Sequence, residues 1–175
     1  MRNVFSFVGA SGSGKTTFIE KLITLLSGKG YKVGAIKHDA HRFEIDKPGK
    51  DSYRFKAAGA VVSLISSHEK HALVRSNDEY EPSIDEIILK YMGGVDLVIT
   101  EGYKKISIPK IEVLRRENGN LPVAFGSEYL IGVITDYDYQ EIVRFLKEQN
   151  CKDPSSIPCF ALDDVEKVAE FILSK

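Results

Sequence analysis

The sequence predicts an α/β protein built on a mostly parallel sheet, with helices on both faces. Three observations lead there. The strand-like segments are continuous apolar runs rather than alternating ones, as in sheets covered on both sides. These runs alternate along the chain with segments of helical periodicity. The first run, Val4–Val8, passes directly into Gly9-Ala10-Ser11-Gly12-Ser13-Gly14-Lys15-Thr16, and a helix follows. That stretch fits G-x-x-x-x-G-K-[ST] in the context the motif requires, strand before and helix after.

The elements follow in order. Helix Lys15–Lys29 succeeds the glycine-rich loop, and Lys32–Lys37 is a short buried strand. A polar loop, His38 to Lys50, ends in Lys47-Pro48-Gly49-Lys50, and Asp51 is expected to cap a short helix, Ser52–Ala58. Ala60–Ile65 reads as a strand with His71–Arg75 as its hairpin partner. Pro82 and Ser83 open a helix through Tyr91, with Ile84, Ile87, Ile88 and Tyr91 on one face, and Gly93-Gly94 breaks it. Val95–Thr100, Lys110–Leu114 and Leu130–Thr135 are further strands, with a turn around Asn118-Gly119-Asn120. Tyr139–Gln149 is an amphipathic helix, Cys159–Leu162 a short strand, and Asp163-Asp164 start a last helix to Ser174. No linker or repeat divides the chain, so one nucleotide-binding domain is expected over residues 1–175. Its class is the three-layer P-loop NTPase fold.

The chemistry of the loop is specific. Glycines at Gly9, Gly12 and Gly14 let the backbone wrap a phosphate with its N–H groups, because no Cβ blocks the approach. Ser11 and Ser13 complete the wrap, and Lys15 reaches the β- and γ-phosphates. The Thr16 hydroxyl can ligate Mg²⁺. Thr17 lies beside it in the first turn of a helix whose positive dipole end faces the anion.

Composition excludes several classes. At 175 residues the chain matches the prior of roughly 100–200 residues per domain. A chain of this size buries about 70% of its unfolded surface, so it needs no staple. The net charge of −1 and pI near 6.4 give no electrostatic reason to expect nucleic acid or an anionic membrane as partner. Cys151 and Cys159 have no zinc-spaced companions and read as reduced thiols. The apolar run before the loop is too short for a signal peptide, and no run approaches a membrane span. A cytoplasmic protein is expected.

A phosphate-binding loop needs a second acidic group for its metal, supplied from a neighbouring strand end. Glu101, just past the strand Val95–Thr100, stands where ligands bind in open α/β sheets, and Gly102 lets the chain turn close to the phosphates. Asp96 opens the same strand at the opposite edge. Lys37, His38 and Asp39 end the second strand on the loop's side. His38 suits acid–base work or a plain hydrogen bond equally, and His41 is a weaker candidate. His68 and His71 flank a hairpin at the surface. The charged loop Asp46–Ser52 reads either as a solvated turn or as a mobile substrate loop.

These residues, taken together, carry a resemblance. Gly9–Thr16, then Ile36-Lys37-His38, then Asp46-Lys47-Pro48-Gly49-Lys50-Asp51-Ser52 with Ala57-Ala58-Gly59-Ala60, then Val98-Ile99-Thr100-Glu101-Gly102-Tyr103-Lys104, resemble the MobB family. The similarity runs from Met1 to about Arg115 and resumes in Ile131–Asp136 and Phe160–Val165. The Pro-Gly-Lys-Asp-Ser block at its distance after Lys-His is far more specific than the loop alone. The resemblance implies a homodimer that binds GTP and Mg²⁺, hydrolyses GTP slowly at most, and assists the MobA-type guanylyltransferase in molybdenum cofactor biosynthesis. That partner joins GMP to molybdopterin. The stretch Leu114–Tyr129 has no counterpart in the resemblance, and its role stays open.

The guanine-reading motif [NT]-K-x-D is missing; Asn150-Cys151-Lys152-Asp153 has the residues at the wrong spacing. The resemblance points instead to Thr135-Asp136, where a carboxylate could accept guanine N1–H and N2–H₂ together. An Asp that merely starts the following helix is the alternative. Two other functions fit the fold. A small-molecule kinase or ATP-dependent ligase would want several cations to clamp both substrates, and the only adjacent arginine pair is Arg115-Arg116. A metal-insertion chaperone would want a Cys/His-rich segment. The dimer reading makes His71–Arg75 or Lys110–Leu114 an edge that could pair across a two-fold axis.

Overall fold

In the computed structural model, residues 3–38, 43–77 and 80–175 are described. The chain divides into two compact units, one of Met1–His38 with Gly94–Lys175 and one of Asp39–Gly93.

The larger unit begins with strand β1 (Asn3–Val8), helix α1 (Lys15–Gly28) and strand β2 (Val33–Lys37). In the smaller unit lie α2 (Asp51–Ala57), β3 (Val62–Ser66), β4 (His71–Arg75) and α3 (Ile84–Tyr91). The larger unit resumes with β5 (Leu97–Glu101), β6 (Lys110–Leu114), β7 (Leu130–Thr135), α4 (Tyr139–Glu148), β8 (Cys159–Phe160) and α5 (Val165–Leu173).

All pairings in the larger sheet are parallel, and its order is β2-β5-β1-β6-β7-β8. Strand alternation sends side chains to two cores. Phe5, Phe7, Ile99, Ile111, Val113 and Ile134 meet α1 (Phe18, Leu22, Leu26) and α5 (Val168, Ile172) on one face. Val8, Leu114, Leu130 and Val133 meet α4 (Ile142, Leu146) with Ala124 and Phe125 on the other. The expected three layers are therefore present. The parallel arrangement also puts the C-terminal ends of β1, β2, β5, β6 and β7 along one edge, where the loops of interest emerge. Among the described residues, no helix is long and apolar enough to cross a membrane.

The smaller unit is a separate two-stranded antiparallel sheet, β3 against β4, flanked by its two helices. Helix α3 starts with a capping box: the Ser83 hydroxyl accepts from Glu86 N, and the Glu86 carboxylate accepts from Ser83 N.

Three local expectations need correction. Lys110–Leu114 is not an edge: β6 sits between β1 and β7 and is buried along its whole length, so β6 cannot pair across a two-fold axis. Asp51 does not cap α2; Lys50 holds the cap position without a side-chain bond, and Asp51 is already in the first turn. Asp46 orders that loop instead, accepting from Ser52 Oγ (2.9 Å) and from Lys47 N (3.0 Å). The last strand is only Cys159–Phe160, because Ala161 N turns to the Asp164 carboxylate (3.0 Å).

Candidate phosphate-binding site

The loop between β1 and α1 is held tightly against its neighbours. A Cβ at Gly9 would stand 2.4 Å from Val113 O, and φ there is +145°, so only glycine fits where β1 passes β6. Ser13 is buried beneath the loop. Lys15 Nζ donates to Ala10 O (2.6 Å) and reaches Ser13 Oγ (3.5 Å), so the ammonium bridges the inside of the loop. Burial holds its pKa below the ordinary lysine range, against the pull of Glu101. A half-buried cation turned onto its own loop's carbonyl is a donor poised for an incoming anion.

On the β5 side, Thr16 Oγ1 donates to Glu101 Oε2 at 2.8 Å. Glu101 is the last residue of β5 rather than a loop residue, and Lys37 Nζ lies 3.8 Å from its other oxygen. The turn after it is fixed from three directions. Ser6 Oγ donates to Gly102 O (2.6 Å), Gly102 N donates to Phe7 O (3.1 Å), and His38 N donates to Glu101 O (2.9 Å). A Cβ at Gly102 would meet His38 O at 2.9 Å, so the residue must be glycine for β2 and β5 to end this close together. The His38 ring packs on Tyr103, centroids 4.5 Å apart. Lys15, Thr16, Glu101, Lys37 and His38 thus cluster at one end of the sheet. Asp39 and His41 lie outside the described residues. A hydroxyl and a carboxylate in contact beside a bound anion are the hard oxygen donors Mg²⁺ takes, so this pair fits that ion.

Asp136 follows β7 on the same edge. Its Oδ1 accepts from Arg116 N at 2.7 Å, while the N-cap of α4 is Asp138, in a capping box with Glu141. So Asp136 does not start the helix; it clamps the turn after β6. Sequence reasoning expected a turn around Asn118-Gly119-Asn120 but missed its place beside the glycine loop. The residue before it, Arg115, places its guanidinium 3.2 Å from where a Cβ of Gly14 would be, and Asn118 Nδ2 comes 3.5 Å from the same point of Gly12. It also missed Glu112, on the face of β6 toward α4. Both Glu112 oxygens accept backbone N–H groups, from Val123 (2.6 Å) and Ala124 (2.7 Å). Burial nevertheless pushes its pKa up to about 7. Lys110, two residues earlier, donates to Ile106 O and to Ile108 O (3.1 Å). These two buried charged side chains pin the loops that flank β6. An apolar run broken by Lys and Glu at alternate positions was their only trace in the sequence.

The smaller unit holds a cavity of about 720 Å³ lined by Val61, His71, Leu73, Arg75, Tyr80 and Tyr91 among others. None of the residues expected to bind a ligand lines it. A phosphate loop needs a ring of backbone donors rather than a deep hollow, so cavity size does not locate it.

Fold and loop define a P-loop NTPase architecture, and comparison with known proteins specifies the family. The sequence profile of MobB, "Molybdopterin guanine dinucleotide synthesis protein B", matches residues 4–136, and the chain belongs to that family. The molybdopterin-guanine dinucleotide biosynthesis adapter protein of Escherichia coli (strain K12) is 31% identical over 177 residues, covering 97% of this chain and 91% of that protein. The adapter of Haemophilus influenzae is 37% identical over 148 residues, 84% of this chain and 82% of that one. A crystal structure of molybdopterin-guanine biosynthesis protein B superposes with a TM-score of 0.71 at 30% identity, covering 98% of both chains. The hydrogenase maturation factor HypB of Archaeoglobus fulgidus shares the fold at 17% identity and a TM-score of 0.53.

Proposed function

We propose that the chain is a GTP-binding adapter that serves a MobA-type guanylyltransferase in forming molybdopterin guanine dinucleotide, with at most slow GTP hydrolysis. The observation that carries nucleotide binding is the Lys15–Thr16–Glu101 cluster around the glycine loop. In this reading Gly9, Ser11, Gly12, Ser13 and Gly14 wrap the phosphates, with Thr17 beside them. Lys15 neutralises the phosphates, Thr16 and Glu101 hold Mg²⁺, and His38 borders the γ-phosphate. Mg²⁺ held by these two residues would supply positive charge to offset that of the phosphates. The adapter role is carried by family membership and by the names of the relatives. The cytoplasm is the setting we infer, in keeping with two cysteines that are not paired in a disulfide.

The test is calorimetry with GTP and ATP, each with Mg²⁺. GTP is expected to bind, and Lys15→Ala to lose it without a change in melting temperature, since Lys15 contacts loop atoms and not the core. Unchanged GTP affinity in that variant refutes the site. Glu101→Gln is expected to keep GTP binding in EDTA while losing the gain that Mg²⁺ confers. Activity of the partner transferase, with and without this chain, reads the adapter role.

The same reading includes a homodimer. The β3–β4 ribbon leaves Val62, Leu64, Ile65 and Leu73 exposed, and a two-stranded ribbon has an outer edge on each strand. Pairing of two such ribbons across a two-fold axis would cover one edge of each. Light scattering at micromolar concentration that gives one chain's mass under all nucleotide conditions ends this part of the reading.

A further inference from the structure

Beside the glycine loop, on the flank away from Glu101, stand two donors that nothing above uses. Arg115 ends the run out of β6, and Asn118 closes the 3₁₀ turn Arg116–Asn118. Arg115 Nε and Asn118 Nδ2 are both buried, and neither has a hydrogen-bond partner. Buried donors left unpaired cost about 1–3 kcal/mol each, more for a charged group, so two side by side call for an explanation. Packing alone is a poor one, because the neighbouring arginine shows what a satisfied residue here looks like. The Arg116 guanidinium forms a two-pronged pair with Glu141 and lies over the Tyr137 ring at 4.3 Å. Arg115 has no such carboxylate among the described residues. Its guanidinium stands instead against Gly14, and the Asn118 amide against Gly12. These are two glycines of the loop whose backbone N–H groups receive the anion.

The turn is also held in place. Asp136 Oδ1 accepts from Arg116 N (2.7 Å), and Asn118 N donates to Arg115 O (3.3 Å). The sheet order then assigns the flank. Along the C-terminal edge the strands run β5, β1, β6, β7, which sets Glu101, the glycine loop, Arg115 with Asn118, and Asp136 side by side in that sequence. Thr16 and Glu101 would hold the metal on one flank, where the end of the triphosphate lies, so donors on the opposite flank of the loop face the α-phosphate end of the chain.

We propose that Arg115 and Asn118 bind the α-phosphate of the nucleotide, supplying by direct charge-assisted hydrogen bonds on this flank what the metal supplies on the other. Asp136 positions the turn that carries them. This inference rests on the nucleotide-binding reading, and the experiment separates the two. Affinities of GTP and GDP are measured by calorimetry, with Mg²⁺ and in EDTA, for the parent, Arg115→Gln, Arg115→Lys and Asn118→Ala. Melting temperatures without nucleotide are recorded beside them.

Arg115→Gln is expected to weaken GTP and GDP equally, by about 10- to 100-fold, with or without Mg²⁺, and to leave the ligand-free melting temperature in place. Asn118→Ala should weaken both by roughly 5- to 10-fold, and Arg115→Lys should recover part of the arginine's share. If the parent binds nucleotide and Arg115→Gln binds it equally well, this inference falls and the functional reading stands. A loss for GTP with none for GDP moves Arg115 to the γ-phosphate and overturns the assignment. A drop in melting temperature at unchanged affinity shows a packing role and does the same. A parent that binds neither nucleotide removes both readings. Should Arg115→Gln fail to fold, Arg115→Lys and Asn118→Ala decide.

Discussion

The two units of the chain differ most in what they do with large apolar side chains. In the larger unit most vanish between strands and helices, with Phe7, Leu22, Ile111, Ile134 and Ile172 among those fully buried, and Leu121 in a loop is the most exposed exception. In the smaller unit, Ile84 is the only buried apolar residue among those described, while Phe43, Ile45, Phe55, Leu64, Ile65 and Leu89 are exposed. Leu64 and Ile65 are neighbours on β3 and point to opposite faces, yet both are more than half exposed. A parallel sheet with helices on both sides covers most of its strand residues; a two-stranded ribbon has little to cover its faces, and such ribbons are marginal by themselves. The stability of this chain therefore resides in the larger unit, and the smaller one keeps much of its apolar surface exposed.

The sharpest way to break that comparison is to cut one large side chain from each unit. Phe7→Ala is expected to destabilise by about 3–5 kcal/mol, as for a fully buried aromatic. Leu64→Ala should stay within about 0.5 kcal/mol at concentrations where the chain is monomeric. Urea unfolding of dilute protein measures both. An equal loss in the two variants would mean that the smaller unit has a core of its own.

A second test concerns the charge buried in the larger unit. Two N–H donors favour the Glu112 carboxylate, but burial outweighs them and raises its pKa from 4.5 to about 7. The folded state thus holds its proton more tightly than the unfolded state does. Stability from this group is full below pH 4.5 and declines as pH rises from there to about 7, by about 3 kcal/mol in all. Replacement by Gln removes the titration. The stability gap between Glu112→Gln and the parent, measured by denaturant midpoints at pH 5 and pH 7.5, should therefore shift in favour of the variant at the higher pH. A gap independent of pH would show that Glu112 is ionised throughout.

How much of this was legible in the sequence follows from the range of each signal. The glycine loop was, because its eight residues are contiguous and strand and helix flank them. The place of Glu101 at a strand end was too, since the apolar run that it closes is contiguous. Strand order was not: nothing local says that β6 lies between β1 and β7, so Lys110–Leu114 looked like a free edge. Arg115 and Asn118 were hidden for the same reason, because their contact with Gly14 and Gly12 exists only once β6 is placed beside β1. Asp136 was singled out by position as a base reader, whereas the bond it makes, to Arg116 N, depends on a turn twenty residues away in the chain.

Helix caps give the smallest and most direct contrast between the units. Helices α4 and α2 both start beside an Asp, Asp138 and Asp51. In the structure Asp138 Oδ1 accepts from Glu141 N at 2.9 Å, so a donor of the first turn is satisfied. Asp51 sits one residue too late to do this and makes only an exposed contact with Arg54, at 3.4 Å. Asp138→Ala should therefore cost about 1 kcal/mol, whereas Asp51→Ala should stay within about 0.5 kcal/mol. Both are read as shifts in urea midpoint at neutral pH and moderate salt. The result also bears on the Pro48-Gly49 loop. If Asp51→Ala proves as costly as Asp138→Ala, the loop adopts another arrangement in solution, with Asp51 rather than Asp46 ordering its backbone. A cost confined to Asp46→Ala, which would lose the Ser52 and Lys47 bonds together, is the outcome the present geometry requires.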